Sequence, residues 1–221
     1  MRPSAPAVLV IALSAITASP LFANLELTWP PPLEFGLFAA GYQPRTSGLD
    51  LGPGLHVGLG GAAGAGAAFT AYWNQTLSTR FTASYFKPGI ELSGSAATSR
   101  SGGEIELVPL AAMVQLRAHR FVRVVPYVEA GLTYLLLPAS TVKPALAASG
   151  VASLRRPDHI ALVTGAGLKI ALKGPWVADL DVTYRPFAQS IFAATASGQV
   201  MKDEKIDVHS LALASGLSYR F

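Results

Sequence analysis

The chain has 221 residues, 51% of them hydrophobic and 14% charged, with a formal net charge of +4; an average soluble domain carries roughly 25% charged residues. Such a composition excludes intrinsic disorder, which requires low hydrophobicity and high net charge, and it argues against an ordinary cytosolic enzyme. With no cysteine, disulfide frameworks, thiolate metal sites and cysteine nucleophiles are excluded, and the 17 Lys and Arg are too scattered to form a phosphate-binding face, so no nucleic-acid partner is expected.

Residues 1–23 read MRPSAPAVLVIALSAITASPLFA. Arg2 is the only charge, the apolar stretch runs from about Ala5 to Ala18, and Pro20 breaks it. A helix needs about 20 residues to cross a bilayer core of roughly 30 Å, so this stretch is short for an anchor and has the form of a secretory signal. Cleavage is expected after Ala23, with Ala18 and Ser19 as alternatives because Leu21 is large for the minus-three position. Residues 24–221 then form the mature domain. No later stretch supplies 18 apolar residues without a charge or a turn former, so the apolar residues of the mature chain must follow another period.

That period is two. Eight segments read as strands: approximately 33–44, 66–74, 78–92, 104–118, 124–137, 159–172, 175–187 and 205–221. The alternation is plainest in the last two. Trp176, Ala178, Leu180, Val182 and Tyr184 form one face, against Asp179, Asp181, Thr183 and Arg185 on the other. From Leu211 the odd positions Leu213, Leu217, Tyr219 and Phe221 are large and apolar, and the even ones small or polar, as successive side chains on a strand require. Short links (75–77, 119–123 and 173–174) alternate with long ones (45–65, 93–103, 138–158 and 188–204). An even number of antiparallel strands, with short turns at one end and long loops at the other, predicts an all-β, eight-stranded, up-and-down transmembrane barrel. Closure also pairs every backbone donor in lipid. Trp73, Phe81, Trp176, Tyr219 and Phe221 fall at the short-turn end of the apolar face, and Tyr134 and Tyr184 toward the other. Trp176 and Tyr184 are about 20 Å apart in height after tilt, near the apolar band of about 25 Å, so the aromatics mark two interfacial girdles.

An eight-stranded barrel has an interior just wide enough for side chains. Parity places Arg80, Gln115, Arg117, Glu129, Lys169, Asp179 and Arg220 inside it near the short-turn end, with Asp181 higher. In so narrow a lumen these charges must pair, and they form a polar plug; Glu129 is expected to pair with Arg117 or Lys169. Toward the long-loop end the inward positions Phe86, Leu107, Leu135, Val163 and Val208 are apolar, with Tyr42 and Pro109 nearby. Lipid does not demand apolar residues there. Two readings stand: a hydrophobic ligand pocket above a polar floor, or a dry packed interior, with Pro88 and Pro109 as sites where a bulge would invert the alternation.

Other motifs carry no chemistry. The run Gly58-Leu59-Gly60-Gly61-Ala62-Ala63 matches a loose dinucleotide fingerprint but lacks a βαβ context and a following acidic residue, so it reads as a mobile surface loop. His209 and Ser210 are neighbours and face opposite sides of a strand, so they cannot form a nucleophile–base pair; His56 and His159 have no partner motif. No enzymatic activity, cofactor or metal is expected.

The closing residues Leu213, Leu217, Tyr219 and Phe221 resemble the terminal signal that bacterial outer-membrane barrels present to their assembly machinery. The stretches Val125-Pro126-Tyr127-Val128-Glu129-Ala130-Gly131-Leu132-Thr133-Tyr134, Val108-Pro109 through Gln115, Trp176 through Tyr184, and Gly216-Leu217-Ser218-Tyr219-Arg220-Phe221 resemble the OmpW family of small barrels. The first strand departs, carrying Phe38-Ala39-Ala40-Gly41 where the family tends to have an Arg-x-Gly pattern. The resemblance implies a protein of the Gram-negative outer membrane, surrounded by its lipid, that passes or binds small hydrophobic molecules. The alternative is a structural or surface-interaction barrel with a packed lumen, whose loops, including the apolar run Pro144-Ala145-Leu146-Ala147-Ala148, meet a partner.

Overall fold

The computed structural model describes residues 30–46, 49–50, 55–94, 97–118, 123–138, 140–142, 153–155, 158–194 and 200–221. The expected signal segment, the run 144–148 and parts of the other long links lie outside the described residues. In chain order the strands are β1 (Leu33–Thr46), β2 (Leu49–Asp50), β3 (Leu55–Leu59), β4 (Ala62–Tyr72), β5 (Leu77–Phe86), β6 (Gly89–Gly94) and β7 (Ala97–Ile105). They continue with β8 (Val108–Arg117), β9 (Val124–Leu136), β10 (Ser140–Val142), β11 (Ser153–Arg155), β12 (His159–Ala171), β13 (Trp176–Ala194) and β14 (Val200–Arg220). Eight of them run in the order β13-β12-β9-β8-β5-β4-β1-β14, each antiparallel to its neighbour, and β13 pairs back onto β14. The sheet is therefore a closed eight-stranded barrel with no free edge. A smaller sheet, β10-β7-β6-β3-β2, is built from the long connections.

Parity sorts the side chains. On β1 the even positions Glu34, Ala40 and Tyr42 are buried in the interior, while Phe35 and Leu37 are exposed on the wall. On β14, Val208, Ser210, Ala212, Ala214 and Ser218 are buried, and Leu211, Leu213, Leu217, Tyr219 and Phe221 are exposed. An outward band this apolar is the lipid face of a membrane barrel. Phe35, Phe69, Phe81, Trp176, Tyr219 and Phe221 are exposed aromatics at the short-turn end, and Tyr85 and Tyr134 toward the other. Trp73 departs from the girdle: it lies in the turn beyond β4, half-buried, with its Nε1 donating to Thr79 Oγ1 at 2.8 Å. Strand parity does not extend past Tyr72, where the chain leaves the ladder. In that turn Asn74 Oδ1 accepts from the amides of Thr76 and Leu77, at 2.8 and 2.6 Å. The hairpin between β12 and β13 turns at Gly174, whose φ of 69° only glycine adopts freely.

Three expectations about the elements change. The strand expected over 78–92 stops at Phe86 and resumes at Gly89, because Pro88 has no amide to donate. The strand expected over 104–118 is interrupted at Glu106-Leu107, where Leu107 bridges to Phe86 alone. The Gly/Ala-rich run 58–63, read as a mobile loop, lies largely in β3 and β4, with Gly60 and Gly61 between them. The ladder uses backbone groups alone, so Ala62–Gly66 pairs with Tyr42–Phe38 without any apolar alternation.

The ladder between β5 and β8 has one local defect. The strands pair from Leu77–Leu116 to Ala83–Leu110, and the single Phe86–Leu107 bridge continues the same register. Phe86 and Leu107 exchange both backbone hydrogen bonds, at 2.9 and 3.0 Å. Hydrogen-bonded pairs alternate along an antiparallel ladder, so the next such pair is Ser84 with Pro109. Proline has no N–H to give, and the ladder lapses there.

Candidate functional site in the barrel interior

The lower interior is a network of ions. Arg80 on β5 is at its centre, 2% exposed. Its Nη2 donates to Asp181 Oδ2 at 2.9 Å and lies 3.5 Å from Asp179 Oδ2, while Nη1 donates to the Tyr127 hydroxyl at 3.1 Å and lies 3.5 Å from Glu129 Oε2. The Tyr127 hydroxyl donates onward to Asp179 Oδ1 at 2.9 Å. Lys169 on β12 donates to Glu34 Oε1 at 2.6 Å and to Asp179 Oδ2 at 3.0 Å. Glu34 Oε2 also accepts from the Tyr72 hydroxyl at 2.6 Å and from Arg220 Nη2 at 3.0 Å. Gln115 Nε2 donates to Glu129 Oε2 at 2.8 Å, and its own carbonyl oxygen accepts from Ser78 Oγ at 3.1 Å. Each of the eight barrel strands contributes a polar side chain to this network: Glu34, Tyr72, Arg80, Gln115, Tyr127 with Glu129, Lys169, Asp179 with Asp181, and Arg220 in chain order. Buried ions cost several kcal/mol each unless paired, and here four carboxylates share three cations at close range.

The pairing expected for Glu129 is overturned. Its partners are Arg80 and Gln115, not Arg117 or Lys169. Lys169 is taken by Glu34 and Asp179, two carboxylates nearer the short-turn end. Arg117 lies at the rim, its guanidinium over the Tyr72 ring at 4.2 Å and donating to the Asn74 carbonyl. Arg220, also at the rim, lies against the same ring at 4.8 Å. The sequence reading missed Glu34, Tyr72 and Tyr127. Glu34 was within reach, because the apolar positions Leu33, Phe35 and Leu37 of the first strand put it on the inner face. So was Tyr127, which is two residues from Glu129 on the same strand and therefore shares its inward face. Its ring lies across β12, where a Cβ at Gly167 would come within 2.5 Å of it.

The upper interior is apolar. Tyr42, Phe86, Leu107 and Leu135 pack with Ala40, Ala212 and Ala214, and the Tyr42 and Phe86 rings are 5.2 Å apart and tilted by 35°. Val163 packs with Ala111 and Met113, and Val163 and Val208 are fully buried. Tyr42, Phe86, Leu107, Leu135, Val163 and Val208 are all buried, and Pro109 is buried beside them. Farther toward the long connections, Val57, Ile90 and Ile105 are also buried. The side chains leave a residual cavity of about 20 Å³ between the apolar cluster and the ionic floor. A much larger concavity, about 560 Å³, is on the opposite side of the wall, facing lipid; Phe81, Ala83, Leu110, Ala112, Leu132 and Tyr134 are among its lining residues.

Sequence comparison with curated proteins finds no match. Solved structures with the same fold include the outer membrane protein OprG from Pseudomonas aeruginosa, with a TM-score of 0.68 at 16% identity over 90% of this chain and 99% of that one. The outer membrane protein AlkL, determined in lipid bilayers, gives a TM-score of 0.66 at 20% identity over 86% of this chain and 90% of the other. The E. coli outer membrane protein W gives 0.54 at 17% identity, over 87% and 100%. The model of the OmpW family matches residues 42–221. That span takes in the ionic floor except Glu34, the apolar cluster except Ala40, and seven of the eight barrel strands in full, so the chain is a Gram-negative outer-membrane barrel and belongs to the OmpW family.

Proposed function

We propose that this barrel gives small hydrophobic molecules a passive route into, or a binding site within, the outer membrane. One observation carries the reading: the outer half of the interior is apolar although lipid contact does not require it, and it ends on a floor of paired ions. A molecule arriving from the long-loop side would meet Leu107, Phe86, Leu135 and Tyr42 and could not continue along the axis past Arg80. The lapse in the ladder at Ser84 and Pro109 lies at the level of Phe86 and Leu107, and the lipid-facing concavity begins at Ala83 and Leu110, the last full pair below it. Passage through the wall at this seam would deliver an apolar solute directly to lipid. AlkL and OprG, structurally similar members of the same class of barrel, fit this placement. No catalytic role is part of the proposal.

The close packing of Phe86, Leu135, Val163 and Val208 favours a second reading, a structural or loop-presenting barrel whose lumen is filled. The two separate in one experiment: uptake of a labelled small hydrocarbon by cells with and without the protein. A route predicts faster uptake with the protein, a further rise for Phe86→Ala, which opens the cluster, and loss for Val163→Asp in barrels that still assemble. Uptake unchanged by all three would leave the filled-lumen reading. For assembly, the exposed set Leu213, Leu217, Tyr219 and Phe221 is proposed as the signal presented to the barrel-assembly machinery.

A further inference from the structure

Among the described ions of the lumen, Arg185 stands apart. Arg185 on β13 is 5% exposed, yet neither its Nε nor its Nη1 has a hydrogen-bond partner. Asp181, on the same face of the same strand, is held by Arg80 at 2.9 Å, and among the described residues Arg185 makes no ion pair. The group lines the small cavity at the junction of the two halves, with Phe38, Phe86 and Met113 on the apolar side and Arg80 and Glu129 on the ionic side. Arg80 Nε and Glu129 Oε1 are also without partners there. At about 20 Å³ the cavity takes one water.

A buried guanidinium with free N–H groups is costly. Its worth lies in what it can receive, since arginine N–H groups recognise carboxylates with strong, charge-assisted bonds. From the geometry we infer that Arg185 anchors the head group of small amphipathic monocarboxylates, whose apolar chain displaces Phe86 and Met113 and lies in the upper cluster. This inference rests on the proposed ligand-binding role of the lumen and narrows it: an anion with an apolar tail is held more tightly than a neutral molecule of the same length.

The test uses the full barrel in lipid nanodiscs with carbon-13-labelled octanoate and 1-octanol, read by NMR against empty nanodiscs. Octanoate is expected to bind about tenfold less tightly to Arg185→Met than to the wild type, with Arg185→Lys between them and octanol binding equal in all three. Band shift on heating in gels confirms that each variant is folded. If Arg185→Met keeps its octanoate affinity within twofold while octanol still binds, the cavity holds water only and the inference falls, leaving the broader reading intact. If the folded wild type binds neither probe, both fall together.

Discussion

At the scale of single residues, the interior is governed by the cost of leaving a buried charge without its partner. Lys169 is enclosed and shared between Glu34 and Asp179, so Lys169→Met takes a cation from two buried carboxylates at once and should cost about 3 kcal/mol in urea unfolding of the refolded barrel. Adding Glu34→Gln should recover part of that loss, and the double-mutant cycle measures the coupling. Arg185 should behave in the opposite sense. Because nothing answers its Nε and Nη1, Arg185→Met is expected to raise stability by about 1 kcal/mol, a residue whose removal strengthens the fold. A fall in unfolding free energy of similar size would mean that Arg185 is structural. The inner-face ions were readable from period two alone, but their pairings were not: parity says which side a residue faces, and partner choice depends on depth across strands far apart in sequence, as with Glu34 and Lys169.

At the scale of elements, small side chains and a missing donor set the details. Gly165 and Gly167 on β12 lie opposite Glu129 and Tyr127 on β9, and a Cβ at Gly167 would also meet the Leu180 carbonyl at 2.6 Å. Gly167→Ala must therefore shift the Tyr127 ring or the β12–β13 ladder, at an expected cost of about 1–3 kcal/mol, with Arg80 and Asp179 losing the hydroxyl between them. Pro109 acts through absence. Replacing it by Val restores an N–H facing Ser84, and the β5–β8 ladder should then run unbroken. Amide exchange at Ser84 and at position 109 should be slow, and hydrocarbon uptake should fall. Protection without any change in uptake would count against the seam as an exit. The break at Pro88 and the role of Pro109 were legible as possible irregularities, since proline cannot donate; that Pro109 interrupts the β5–β8 ladder needed the register.

For the whole molecule, closure determines what can be outside and inside. Every barrel strand is paired on both sides, so the outer surface is free to be as apolar as Phe35, Leu37, Leu132, Ile160 and Leu213 make it. The C-terminal set offers a prediction at this scale. Phe221→Ala removes an exposed ring whose centroid is 5.0 Å from that of Tyr219. It should leave the refolded barrel's heat-induced gel shift unchanged and lower the amount assembled in the outer membrane severalfold; equal assembly would remove Phe221 from the signal. The sequence by itself determined the barrel, its strand number, its orientation of short and long links and the sorting of residues to lipid or lumen, because all of these follow from a period of two and from loop lengths, which are local properties. Only the tertiary structure decided that Arg80 rather than Arg117 meets Glu129, that Tyr127 and Glu34 complete the floor, that Gly58–Ala63 is largely strand, and that Arg185 is left with donors to spare. Those outcomes depend on shear, which sets the relative height of residues on strands that the chain reaches a hundred positions apart.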